Sequence, residues 1–249
     1  MHYFKRKNVV LTIVLVSTDY EAKIFVLKKT IDESSAHELA ESKKTNPFKS
    51  LLKKPKNEEV HIHSTKLLYE SILMVSGFYK ANFFRKAIHP IKVDFNVSEV
   101  VLGDGVFPIR TKSGLQKAFS SKKGKNKVDL ELEEHVFIEN EGSIYFDHHG
   151  KEITIPYQIN SKTIENYPKR ILDENQPNVK KPEISNESAI NILTKKLMKP
   201  LDRDVRDLKD ELKINELSEI YVPIYEYRLI GPKKKISILR IDAVRKKIL

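Results

Sequence analysis

The chain has 249 residues, 40% hydrophobic and 32% charged, with a formal net charge of +11 and a pI near 9.4: a globular balance with basic surplus. It contains no cysteine, which excludes disulfides, thiolate metal sites and cysteine catalysis. The surplus favours polyanionic partners: nucleic acid, an anionic membrane surface or an acidic protein.

At the start, Lys5, Arg6 and Lys7 precede the apolar run Val9–Val16, superficially a secretory leader. The run is short for that, and "STDYEA" after it offers no small-x-small cleavage site. It is also far too short to span a bilayer. A second β-branched run, Ala22–Lys29, follows, so the pair predicts a β-hairpin in a cytoplasmic protein, with a leader as the alternative.

"IDESSAHELAESKKTNP" (31–47) and "ISNESAINILTKKLMKP" (184–200) share Ile31/Ile184, Ser35/Ser188, Ala36/Ala189, Lys43/Lys196 and Pro47/Pro200. Asp32 and Ser185 are N-cap residue types in both, so each segment predicts a helix. Downstream, Tyr69 answers to Tyr221 and Asp94 to Asp242 in the same order, which suggests one unit used twice. "RDVRDLKDEL" (203–212) places Arg203–Asp207 and Arg206–Asp210 at i,i+4 and reads as a second, charged helix.

Strand signals fill the rest. "ESILMVSGFYKANFF" and "KAIHPIKVD" read as one pair, and "LGDG" (102–105) as the turn of a short hairpin. Lys127–Ile159 reads as three strands broken at "NEGS" and "DHHGK". "IYVPIYEYRLI" and "KKKISILRID" flank a Gly-Pro turn and form a hairpin with Tyr225 and Tyr227 on one face. Ile192, Leu193, Leu197, Ile224, Ile238 and Ile241 are the expected core of the last unit.

The predicted class is therefore α+β, with antiparallel pairing throughout: two related helix-plus-hairpin units, a β-rich insert between them and an N-terminal β-hairpin. The expected divisions are 1–110, the basic loop and insert 111–159, a proline-bearing linker 160–183, and the C-terminal unit 184–249.

Residues 184–249 resemble a PepSY-type domain, through "ISNESAINILTKKL" and the closing "ILRIDAVRKKIL". Arg245 and Lys246 stand where that family has Thr-Gly, which would remove the tight turn. The resemblance implies a non-enzymatic interaction module, with residues 31–110 as a diverged second copy.

No phosphate-binding glycine loop, HExxH or GxSxG motif occurs, and no cofactor is implied. His61 and His63 flank Ile62 and would share a strand face; with His148 and His149 they are the candidate metal ligands, although solvated histidines are the plainer reading. The acidic residues Asp202, Asp204, Asp207 and Asp210 alternate with Arg203, Arg206 and Lys209, which neutralise them. From 110 to 127 the chain carries Arg110, Lys112, Lys117, Lys122, Lys123, Lys125 and Lys127 and no acid, with Phe119 available to stack. The leading expectation is a non-enzymatic protein contacting nucleic acid or another polyanion through this loop. A PepSY-like protein-interaction or scaffold module using the faces around Tyr225 and Tyr227 is the alternative.

Overall fold

The computed structural model describes residues 22–49, 55–109, 126–199, 201 and 205–249. Ten strands lie among them: β1 Lys23–Val26, β2 His61–Val93, β3 Glu99–Leu102, β4 Gly105–Pro108, β5 Asn126–Phe146, β6 Glu152–Ile153, β7 Val179–Lys180, β8 Val205–Ile230, β9 Ile236–Asp242 and β10 Lys247–Ile248. The helices are α1 Glu33–Lys43, α2 Pro168–Glu174 and α3 Asn186–Leu197. Eight strands make one sheet in the order β10-β9-β8-β2-β5-β6, with β1 on β8 and β7 on β2; β3 and β4 form a separate hairpin.

This overturns the expected α+β arrangement of two helix-plus-hairpin units: the protein is mostly β. The physical reason is strand length. The segments read as two strands within 70–94 are one continuous strand of 33 residues, because β-branched and aromatic residues recur along them and neither Gly77 nor Pro90 ends the pairing. Of "RDVRDLKDEL", residues 205–212 are likewise strand, not helix, while Arg203 and Asp204 lie outside the described residues. Leu208, Asp210, Leu212 and Ile214 turn inward while Lys209, Glu211 and Lys213 are exposed, a period of two. Arg206 accordingly pairs with Glu133 of β5 instead of Asp210.

Pairing is not antiparallel throughout either, since β1–β8 and β7–β2 are parallel. Those partners lie far apart in sequence, so no short hairpin loop dictates their direction. The first strand of the predicted N-terminal hairpin lies outside the described residues. Residues 140–143 do not break β5, whereas the turn at 147–150 does form, with Asp147 O accepting from Gly150 N at 2.9 Å. Ala36 and Ala189 occupy matching places in capped helices, and Tyr69 and Tyr221 are buried in long strands. Asp94 follows the end of β2 and Asp242 ends β9, so that pair does not match.

The chain divides into two compact units. Among the described residues, one comprises 79–109, 126–140, 198–199, 201 and 205–212; the other comprises 22–49, 55–78, 141–197 and 213–249. In the first, β2 and β5 are laced by Lys80–Glu139 (3.0 Å) and by Glu134 with Arg85 and His89 (both 2.7 Å). The bonds from Arg85 and then His89 hold the Glu134 carboxyl below its ordinary range.

In the second unit, α1 lies over Tyr225, Tyr227, Leu229, Leu239 and Ile241, burying Ala36 and Ala40. Asp32 caps α1, its carboxylate accepting from Ser35 N at 2.8 Å. The opposite face of β8 packs Ile220, Val222 and Ile224 under Tyr145, Ile153, Ile155, Tyr157 and Ile164. Leu193, Leu197, Ile224 and Ile241 are buried as expected, but Ile238 is 54% exposed, because that covering stops short of it. Residues 160–183 carry α2 and β7 and bury Leu172 against Val26, Tyr69 and Tyr221.

The tight turn at residues 243–246 forms despite the missing Thr-Gly. Asp242 Oδ1 accepts from Val244 N and Arg245 N, both at 2.9 Å, and Lys246 adopts a left-handed φ of 57°.

Candidate functional site

Where the covering ends, the sheet face of the second unit opens into a groove of about 570 Å³. Its floor comes from three strands. Glu70 of β2 lies in the same phase as the apolar Leu68 and Ile72, so a carboxylate stands where the pattern calls for a hydrocarbon. Glu226 of β8 and Arg240 of β9 are direct cross-strand partners. The Arg240 guanidinium pairs with Glu70 and lies 3.8 Å from Glu226. Its Nε and Nη2 meet these carboxylates by charge alone, without hydrogen-bond geometry.

The turn after β5 supplies one wall. His148 Nδ1 stands 3.7 Å from Glu70, and the His148 and His149 rings are 3.8 Å apart at their centroids. His149 Nδ1 reaches Glu183 at 3.2 Å. Asp147 does not face a ligand: its Oδ1 accepts from His149 N and Lys151 N, closing the turn. An adjoining recess of about 390 Å³ is lined by Ser64, Lys66, Glu226, Arg228, Ile236 and Ile238.

Chemically, each acidic side chain here has a basic neighbour, two carboxylates sharing one guanidinium. Glu70 and Glu226 face Arg240, and Glu183 faces His149. Lys66, Lys180 and Arg228 have no ion-pair partner among the described residues.

Among the described residues no three His, Asp or Glu side chains converge as metal ligands. His61 and His63 are exposed at the start of β2, while His148 and His149 sit together in the groove wall. Of the basic stretch, Lys127 is exposed at the start of β5; Arg110, Lys112, Lys117, Lys122, Lys123 and Lys125 lie outside the described residues. Tyr225 and Tyr227 are 2% and 0% exposed, so both rings belong to the core, although Tyr225 borders a recess with Ile31, Asp32 and Leu67.

Sequence reasoning missed Glu70, Glu226 and Arg240. The signal was available: each places a charge in the apolar phase of a strand. Among the described residues no helix is long and apolar enough to cross a membrane. Compared with protein-family models, curated proteins and solved structures, the chain matches none.

Proposed function

We propose that this chain is a non-catalytic binding protein for a polyanion, with nucleic acid as the partner. The observation that carries the reading is the pair of cations Lys66 and Lys180, which line the groove without ion-pair partners among the described residues. The formal +11 of the whole chain and the acid-free run from Arg110 to Lys127 point the same way. Lysine ammoniums act on a phosphate backbone as point charges, without reading bases, and binding then releases counterions.

The test is retention on duplex DNA at rising salt. The wild type should be held at about 150 mM and elute steeply above it. Lys66→Gln with Lys180→Gln should lower the salt slope by up to about 2, and the triple change of Lys122, Lys123 and Lys125 to Gln by up to about 3. No retention of the wild type at about 150 mM salt sinks the proposal.

A further inference from the structure

Strand β9 has one edge that is only partly used. Along its inner side it pairs with β8 from Ile236 to Asp242. Along its outer side β10 reaches only Ile241 and Asp242, with one further bond from Leu249 N to Arg240 O at 2.9 Å. That bond sets the phase. Backbone groups of a strand alternate in direction, so the even-numbered residues of β9 turn theirs outward. The bonds from Ala243 N to Pro223 O and from Gly231 N to Lys235 O agree, placing the odd-numbered residues toward β8. Ile236 and Ile238 therefore present their N–H and C=O groups at an edge that no described strand covers.

Such an edge is a template for another chain, and proteins usually blunt it with charge, proline or a bulge within the strand. Here the open residues are isoleucines, 57% and 54% exposed. Their side chains line the recess beside Lys66 and Arg228. The exposed Lys233, Lys234 and Lys235 lead into the strand. None of these five cations has an ion-pair partner among the described residues, and Glu226, the one acid in the recess, faces Arg240.

We propose that the outer edge of β9 at Ile236–Leu239 docks an extended acidic peptide segment, which adds to the sheet as a further strand. Backbone bonds to Ile236 and Ile238 supply its affinity. Acidic side chains meet the lysines, and apolar ones cover the two isoleucines. A second copy of this chain fits less well, since edge-to-edge pairing would bring two such cationic sets together. The inference is independent of DNA binding: peptide binding and DNA retention can fail separately.

The test is fluorescence anisotropy of the full chain with a labelled peptide of about ten residues alternating Glu and Val, beside one of equal length and charge alternating Glu and Pro. The Glu–Val peptide should bind at least about tenfold more tightly, because proline cannot donate to the strand. Ile238→Pro removes one outward N–H while leaving the β8 ladder whole, and should lose at least about tenfold in affinity. Replacing Lys233, Lys234 and Lys235 by Gln should weaken binding and flatten its salt dependence. Equal binding of the two peptides overturns the proposal, and that comparison decides the matter even if Ile238→Pro unfolds. Duplex DNA bound at this edge with neither peptide bound would assign it to nucleic acid instead. A dimer in sedimentation that Ile238→Pro converts to monomer would assign it to a second copy.

Discussion

Tyr157 donates its hydroxyl proton to Asp242 Oδ2 at 2.7 Å, and the Asp242 side chain is fully buried. Arg245 Nε shares that oxygen at 2.5 Å, and the Arg245 guanidinium lies 5.1 Å from the centre of the Tyr157 ring. The other oxygen, Oδ1, holds the turn at the end of β9. Every acceptor position on this carboxylate is thus used, and the turn depends on it. Asp242→Asn should cost about 1–3 kcal/mol, since it discards the charge that two backbone N–H groups and a guanidinium face. Tyr157→Phe removes one bond of several and should cost about 0.5–1.5 kcal/mol. Urea midpoints with an unchanged slope check both; a change in Tyr157→Phe larger than in Asp242→Asn would reverse the roles assigned here.

Gly77 marks a close approach of β2 to β8. A Cβ built there would lie 2.6 Å from Lys213 O and 3.3 Å from Ile214 Cδ1. The nearer atom is backbone and cannot swing away. Gly77→Ala should therefore destabilise by about 1–3 kcal/mol through displacement of one strand from the other. Thermal unfolding measures this, and a neutral outcome would mean that the two strands separate freely at this point.

Local punctuation proved legible in the sequence, and long-range continuity did not. The caps at Asp32 and Ser185 hold helices, and the turns at 103–104, 147–150 and 231–235 connect elements as their residues demand. The stretch 140–143 failed as a turn because Gly142 sits inside β5, where its Cα side faces Leu197 at 3.5 Å from a notional Cβ. A glycine that permits close packing reads in sequence like one that permits a bend. The sequence 203–212 carries both an i,i+4 charge match and a period of two, and pairing within the sheet decided for the strand over 205–212. The groove was half visible: His148 and His149 stood out, but Glu70 and Arg240 come from strands distant in the chain and meet only through the fold.

Six tyrosines, Tyr69, Tyr79, Tyr157, Tyr221, Tyr225 and Tyr227, have hydroxyls pushed above the ordinary phenol range, in each case chiefly by burial. Tyr79 and Tyr227 are raised to about 12; Tyr79 is raised further by Asp210, whose carboxylate it faces at 3.4 Å. The sign follows from linkage. The folded state holds these protons more tightly than the unfolded state, so their contribution is fully present below the unfolded phenol value of about 10. It is lost as pH rises toward about 12. Unfolding should therefore set in between those limits, with phenolate absorbance rising together with loss of circular dichroism. Phenolate appearing well before the structure melts would show that the hydroxyls reach solvent in the native state.

The last prediction returns to the turn between β9 and β10. Lys246 holds φ at 57°, a left-handed conformation that brings a Cβ against the neighbouring carbonyl and that glycine adopts freely. Its backbone N–H donates to Asp242 O at 2.9 Å, so the conformation is fixed by the turn. The strain relieved in Lys246→Gly is roughly 1–2 kcal/mol, and the greater freedom of glycine in the unfolded chain takes back about half of it. The expected outcome is a gain of about 0.5–1 kcal/mol in urea denaturation. Lys246→Val, a β-branched residue with a still poorer left-handed conformation, should lose stability relative to the wild type. A variant pair in which glycine destabilises and valine does not would show that the lysine side chain itself holds this turn, and that its backbone carries no strain.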